Sequence, residues 1–104
     1  MIALETINLS NTMCGMDKPF SDQAKRLLWH RNLLGLSQAD YAAKAGLKRP
    51  AVNNYESGDF QIGLAAARAL RSTYGLSLDF LYEGEVQALP MNLRNALLDS
   101  PVDK

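Results

Sequence analysis

A polar stretch between residues 48 and 54 holds the side chains of this sequence that are best suited to recognise another molecule. Lys48, Arg49 and Pro50 come first, and Asn53 and Asn54 follow one helical turn later. Arg can make two hydrogen bonds to O6 and N7 of guanine, and Asn can make two to N6 and N7 of adenine. Arg49 and Asn54 are therefore the side chains best suited to read bases, whereas Pro50 offers only an apolar contact, for example to a thymine methyl. Asn53 can face a base, a phosphate or solvent.

Two short helical patterns, joined by a tight turn, must hold this polar stretch in place. Ser37 can N-cap the first helix, because its hydroxyl can accept a hydrogen bond from an N–H of the first turn. Gly46 stands where the chain leaves that helix, a position that favours the left-handed backbone conformation. The second pattern covers residues 49–56 and is mostly polar, but Val52 and Tyr55 are three apart and face inward together.

The first helix of this pair is rich in alanine. We expect Ala39, Ala42, Ala43 and Ala45 to include the small residues of its inner side, which would let a second helix cross closely. Two helices, a tight turn containing glycine and a polar second helix make a helix-turn-helix. The polar second helix needs a partner outside the domain.

This stretch resembles the Cro/repressor-type helix-turn-helix family of bacterial and phage transcriptional regulators. The likeness extends from about residue 21 to residue 84 and implies an all-α, five-helix lambda-repressor-like domain. In that fold the second helix of the motif, the recognition helix, enters the major groove of double-stranded DNA. The residues that carry the resemblance in one register are Leu36, Ser37, Gln38, Ala42, Gly46, Val52, Tyr55, Glu56 and Gly58.

The resemblance also implies which side chains contact DNA. Gln38 is expected to grip a phosphate, with Lys44 as a supplement. Family members also contact phosphate from the start of the fourth helix, where this sequence has no basic residue, so Gln61 is the only plausible side chain there. The positions at which family members read bases correspond to Lys48, Arg49, Pro50 and Asn54.

A structural ion pair between Arg31 and Glu56 is a further expectation from the resemblance. It would tie the first helix to the end of the recognition helix, because a partly buried charge is costly alone and pairing offsets most of that cost. Next to Arg31, His30 is expected to be a partly buried histidine with a hydrogen-bond partner. Trp29 is expected at the edge of the core, with a surface or partner contact as the alternative.

The rest of the chain predicts four more helices. Ser21 can cap a first helix that runs to about Leu34 and ends at Gly35, with Leu27, His30, Arg31 and Leu34 on its inner stripe. A fourth helix over residues 62–74 has the stripe Leu64, Ala67, Leu70 and Tyr74, and a fifth over residues 78–82 is capped by Ser77. Pro90 is pre-set for the start of a sixth helix, over residues 91–98.

The charge distribution fits a nucleic-acid partner better than the zero net charge of the chain suggests. Residues 21–75 contain eight basic and four acidic side chains, a net charge of +4. Residues 76–104 carry a net charge of −3. A basic core with an acidic C-terminal end is typical of a domain that meets phosphates with one face only.

Length and composition bound the organisation of the chain. We expect one small domain at residues 21–84, a flexible N-terminal arm at residues 1–20 that could reach DNA or a partner subunit, and a C-terminal extension at residues 85–104 that supports dimerisation. The acidic and apolar segment of residues 80–98 is the expected dimer surface. Cys14 has no second cysteine to pair with, which fits a reducing cytoplasm, and no apolar run is long enough for a membrane helix.

The sequence therefore favours a sequence-specific DNA-binding regulator, most simply a repressor that binds a palindromic operator as a homodimer. The alternative is an antitoxin or adaptor whose main task is to bind a protein partner. An enzyme is disfavoured, because one histidine, one cysteine and no glycine-rich phosphate loop leave no nucleophile–base or metal-ligand set. We expect neither a cofactor nor a metal.

Overall fold

The computed structural model describes residues 18–102, and this part of the chain is all-helical, as the sequence predicts. The predictions for residues 1–17, including Cys14, and for the last two residues lie outside the described range. The six helices are α1 (Ser21–Leu34), α2 (Gln38–Lys44), α3 (Arg49–Ser57), α4 (Leu64–Tyr74), α5 (Leu78–Glu83) and α6 (Met91–Asp99).

Local capping signals place several of the helix ends. Ser37 Oγ accepts a hydrogen bond from the N–H of Asp40 at 3.1 Å, and Ser77 Oγ accepts one from the N–H of Phe80 at 3.1 Å. Gly35 ends α1 with a left-handed φ of 69°. These three predictions are confirmed, because each rests on a side chain or backbone preference that acts within one turn.

The predicted cap of α1 is wrong. Ser21 is the first helical residue, and Phe20 occupies the N-cap position without a side-chain hydrogen bond. The chain enters α1 through a long-range contact instead, since the N–H of Phe20 donates to the carbonyl of Gly58 at 3.0 Å. The start of α1 is therefore fixed by the end of α3 and not by a local cap.

The core is built from one face of each helix, and the predicted faces of three helices need correction. On α2, Ala39 and Ala43 are exposed, and the buried side is formed by Tyr41, which was not predicted, with Ala42 and Ala45. Ala39 and Ala43 are spaced to share one face of a helix, and so are Ala42 and Ala45, so only packing decides which pair is buried. The fully buried Tyr41 fills the centre of the core that the small side chains leave open.

Two leucines predicted to be inner residues are exposed. Leu34 is 42% exposed because α1 buries Gln23, Ala24, Leu27 and His30, a stripe that ends one turn earlier. Leu64 is 60% exposed because α4 buries the face formed by Ala66, Ala67 and Leu70, and Leu64, the first residue of the helix, lies off that face. Ile62 lies in the preceding loop and is itself buried.

The C-terminal segment packs on the rest of the domain. Leu89 and Leu93 are buried in the common core, and the indole Nε1 of Trp29 donates to the carbonyl of Ser100 at 2.6 Å. Trp29 is half-buried at the core edge, as expected, and lies 5.9 Å from the ring of Phe80. Phe80 is only 2% exposed, so it cannot be part of the dimer surface that was expected over residues 80–98.

A buried aromatic cluster joins α1, α2 and α4. His30 is 1% exposed, and its Nδ1 lies 2.7 Å from the hydroxyl of Tyr41. Tyr41 stacks on Tyr74 with ring centroids 4.7 Å apart, and the Tyr74 hydroxyl donates to the Tyr41 carbonyl. Burial lowers the pKa of His30 to about 4, and burial also raises the pKa of Tyr41. The expected hydrogen-bonded histidine is thus present and more deeply buried than predicted.

Candidate nucleic-acid interface

Helix α3 has one buried side and one outward side. Val52 is fully buried, and Ala51, Tyr55 and Glu56 are half-buried around it. A step of about 100° per residue turns positions 50, 53 and 54 away from Val52, and position 49, in the first turn, lies at the flank between the two sides. The side chains at these positions and at the N-cap are all exposed, and we call this set the α3 outer edge: Lys48, Arg49, Pro50, Asn53 and Asn54.

The two ends of α3 follow from local chemistry. Lys48 is the N-cap in extended backbone, with φ −102° and ψ 148°, and Pro50 occupies the first helical turn, where it loses no hydrogen bond. Gly58 ends the helix with φ 83°. A Cβ at Gly58 would lie 3.3 Å from the Cβ of Lys18, so the chain before α1 runs directly over this end.

A bidentate ion pair fixes α3 to α1. Arg31 Nε donates to Glu56 Oε2 at 2.7 Å, and Arg31 Nη2 donates to Glu56 Oε1 at 3.0 Å. Arg31 Nη1 also donates to the carbonyl of Leu36, which reaches the chain before α2. The hydrogen bond to Glu56 raises the pKa of Arg31. Both side chains are largely buried, so the pair holds the angle of α3 more firmly than a surface pair could.

Gln38 is placed differently from the simplest expectation. Its Nε2 donates to Glu56 Oε1 at 3.0 Å and, more weakly, to Asn53 Oδ1 at 3.4 Å. These two bonds use both hydrogens of the amide group. A phosphate contact from this amide would therefore have to replace its longer bond to Asn53. The sequence alone did not signal this link between α2 and the α3 outer edge.

The loop between α3 and α4 is held by three contacts that sequence reasoning missed. The N–H of Ile62 donates to Gln23 Oε1 at 3.1 Å, and the hydroxyl of Tyr82 donates to the carbonyl of Ile62 at 2.6 Å. Lys18 forms an exposed ion pair with Asp59 at 3.3 Å. Gln61 stands between these anchors and is exposed.

Three exposed basic side chains lie on either side of the turn between α2 and α3. Lys44 is the last residue of α2 and is exposed, and Lys48 and Arg49 follow across the turn that contains Gly46. Lys18 lies beside the C-terminal end of α3, next to the loop between α3 and α4, and that loop contains no basic residue of its own.

In residues 18–102, no three His, Cys, Asp or Glu side chains lie close enough to hold a metal ion. No helix within that range is long and apolar enough to cross a membrane.

A close pair of helices, a tight turn and an exposed polar second helix on a clamped scaffold define a helix-turn-helix protein. The family model for this helix-turn-helix matches residues 27–81, which is more than half of the chain. The chain belongs to the Cro/C1-type helix-turn-helix family and is a DNA-binding regulator of that kind. Comparisons with curated proteins and with solved structures gave no significant match.

Proposed function

We propose that the protein is a sequence-specific transcriptional repressor that binds a palindromic operator as a homodimer, with α3 in the major groove. One observation carries this proposal. The five side chains of the α3 outer edge are all exposed, while the other side of the same helix is buried and clamped through Glu56. A rigid helix with an exposed polar edge is suited to reading bases, because its side chains are held in one register.

Each residue of the edge has a chemical role in this proposal. Arg49 binds guanine O6 and N7, and Asn54 binds adenine N6 and N7, each with two hydrogen bonds. Lys48 contacts a base or the adjoining backbone, Pro50 contacts a thymine methyl, and Asn53 is oriented by Gln38. Each good bidentate contact discriminates between bases by about 1–3 kcal/mol.

Phosphate contacts would set the register of the helix without reading sequence. We assign them to Lys44 at the end of α2, to Gln38 and to Gln61. Lys18 is added by its position beside the loop before α4. A second domain, related to the first by the two-fold axis of the operator and about 34 Å away, would double the number of bases read.

Selection of bound sequences from random DNA tests the base-reading roles. The wild-type chain should enrich a palindrome, and Arg49→Ala and Asn54→Ala should each relax the preference at one position of each half-site. Arg71→Ala is the matched control, because Arg71 is exposed on α4 beside Ala88 and Pro90, away from α3. Uniform weakening across all sequences by Arg49→Ala, with no relaxed position, would refute its role.

A second candidate is an antitoxin or adaptor that binds a protein partner. Three leucines of α1 favour it, because Leu28, Leu33 and Leu34 are 37%, 43% and 42% exposed on a helix that is otherwise clamped. Purification from native extract with and without nuclease separates the two functions. A stoichiometric protein partner that remains after nuclease treatment, together with no selected DNA sequence, would favour the adaptor.

A further inference from the structure

A chain of hydrogen bonds runs from α1 through the end of α3 to α2 and finishes on the α3 outer edge. Arg31 donates to both carboxylate oxygens of Glu56, at 2.7 and 3.0 Å. Gln38 Nε2 donates to Glu56 Oε1 at 3.0 Å and to Asn53 Oδ1 at 3.4 Å. The Glu56 side chain is only 7% exposed, whereas Asn53 is exposed. The chain therefore links a largely buried ion pair to a side chain that faces solvent.

Chemistry fixes the direction of each bond in this chain. A guanidinium group can only donate hydrogen bonds, and a carboxylate can only accept them. Gln38 must therefore turn its NH₂ group, and not its carbonyl oxygen, towards Glu56. The second hydrogen of the same NH₂ group points to Asn53, which has to accept it with its own carbonyl oxygen.

Two neighbouring asparagines of α3 consequently differ in what they can recognise. The oxygen of Asn53 is bound by Gln38, so the group that this side chain has left for a ligand is Nδ2, which only donates. Asn54 is exposed beside it and lies outside the chain of bonds. Asn54 can therefore present an acceptor and a donor together, as the two-bond contact to adenine requires.

We propose that Asn53 reads guanine, because Gln38 holds its amide with the donor hydrogens free for the base. Guanine presents two acceptors in the major groove, N7 and O6, and no donor, whereas adenine N6 and cytosine N4 are donors. Asn53 held in this way cannot make the two-bond contact to adenine, since its oxygen is already bound. Gln38 is thus a positioning residue for base specificity. The inference rests on the proposed function, in which α3 lies in the major groove.

The Gln38 side chain has two possible uses that exclude each other. A phosphate contact from its amide would need the hydrogen that goes to Asn53. If that hydrogen stays on Asn53, loss of the amide changes the preferred base at one position of each half-site. If it goes to a phosphate, loss of the amide weakens binding to all sequences alike.

Selection of bound sequences from random DNA by the full chain tests the role of Gln38. Asn53→Ala identifies the position that Asn53 reads, and the wild-type chain should prefer guanine over adenine there by at least about fivefold. Gln38→Met keeps the length of the side chain but removes its donors, which frees the Asn53 amide to turn. We expect this variant to lose the preference for guanine, or to change it to adenine, at that position only.

Gln61→Met is the matched control, because Gln61 is an exposed glutamine outside the chain of bonds. It should leave the preferred base unchanged at every position. A Gln38→Met chain that binds all sequences more weakly but keeps the preference for guanine overturns the proposal. A wild-type chain that prefers adenine at the Asn53 position also overturns it.

Asn53→Asp tests the same contact without disturbing Gln38 or the ion pair. One carboxylate oxygen can still accept from Gln38, and the other replaces the donor of Asn53 by an acceptor. The preferred base at that position should change from guanine to cytosine, whose N4 is a donor. Uniform weakening with no changed position would mean that Asn53 faces a phosphate, and would overturn the proposal. Circular dichroism verifies that each variant is folded.

The hydrogen bond itself is measured without DNA, by proton–nitrogen NMR of the full chain. Asn53→Ala should shift the signal of one Gln38 side-chain amide hydrogen, whereas Asn54→Ala should leave both in place. A chain that selects a palindrome but shows no such shift refutes the held amide and leaves the regulator intact. A chain that shows the shift but selects no DNA sequence refutes the proposed function, and the guanine contact with it.

Discussion

Acidification should destabilise this protein through His30. The imidazole is 1% exposed, and its Nδ1 lies 2.7 Å from the hydroxyl of Tyr41, where a neutral ring can accept a hydrogen bond. A protonated ring could not accept that bond and would place a charge in the core. Burial accordingly lowers the pKa of His30 from 6.5 to about 4.

The sign of the pH effect follows from this difference. Between pH 6.5 and about pH 4 the unfolded chain binds a proton at His30 and the folded chain does not, so acid favours unfolding. The stability from the neutral His30 is fully present above pH 6.5 and is lost as the pH falls towards 4. At 1.36 kcal/mol for each pH unit between the two pKa values, the loss is about 3 kcal/mol at pH 4. This is a large fraction of the 5–15 kcal/mol that typically stabilises a domain.

Urea unfolding between pH 8 and pH 4 measures the effect. Trp29 is the single tryptophan of the chain and lies 6.2 Å from the His30 ring, so its fluorescence reports the transition. The matched control is the double variant His30→Leu/Tyr41→Phe, which removes both hydrogen-bonding partners and can be nearly neutral at pH 8. Carboxylate titrations contribute equally to both chains and cancel in the comparison.

The difference in unfolding free energy between wild type and the double variant should change by about 3 kcal/mol between pH 8 and pH 4, to the disadvantage of wild type. If that difference stays constant within about 0.5 kcal/mol, His30 titrates alike in the folded and unfolded chains. The buried His30 would then not be the cause of the acid sensitivity.

Three further predictions concern the contacts that hold the domain together, each measured by thermal or urea unfolding. Glu56→Gln should cost about 2 kcal/mol because it breaks a largely buried ion pair, whereas Lys18→Ala should cost less than about 0.5 kcal/mol because its pair is exposed; equal losses would contradict this. Gly58→Ala should lower the free energy of unfolding by about 2 kcal/mol and Gly35→Ala by about 1 kcal/mol. Both glycines have positive φ, but of the two only Gly58 has neighbours that an added Cβ would crowd. The reverse order would contradict the packing described at Gly58. Trp29→Phe, with unfolding measured by circular dichroism, should lower the free energy of unfolding by about 1 kcal/mol. No change would show that the hydrogen bond from Trp29 to the carbonyl of Ser100 contributes nothing to stability.

Truncation of the C-terminal extension at residues 85–104 is unsuitable as a test of dimerisation. Removing residues 85–104 would delete Leu89 and Leu93 from the core and leave Trp29 without its hydrogen-bond partner. Loss of DNA binding would then report unfolding and not lost dimerisation. A point substitution at an exposed residue of α6 avoids this; Leu98, for example, is 81% exposed and contributes almost no burial to its own subunit.

The sequence by itself determined the helices, the turn and the family. Ser37 and Ser77 cap α2 and α5, and Gly35, Gly58 and Gly84 end α1, α3 and α5 with positive φ. These signals act within about four residues, so no knowledge of distant contacts is needed to read them. The same local register is what the family match over residues 27–81 confirms.

Only the tertiary structure decided which helix faces are buried and what the polar side chains contact. Ala39 and Ala42 are the same residue type on the same helix, and only the packing of neighbouring helices makes the first exposed and the second buried. Gln38 bonds to Glu56 because the turn folds α2 back on α3, across 18 residues of sequence. Contacts at that separation depend on how whole helices pack, and a single sequence records no direct trace of that packing.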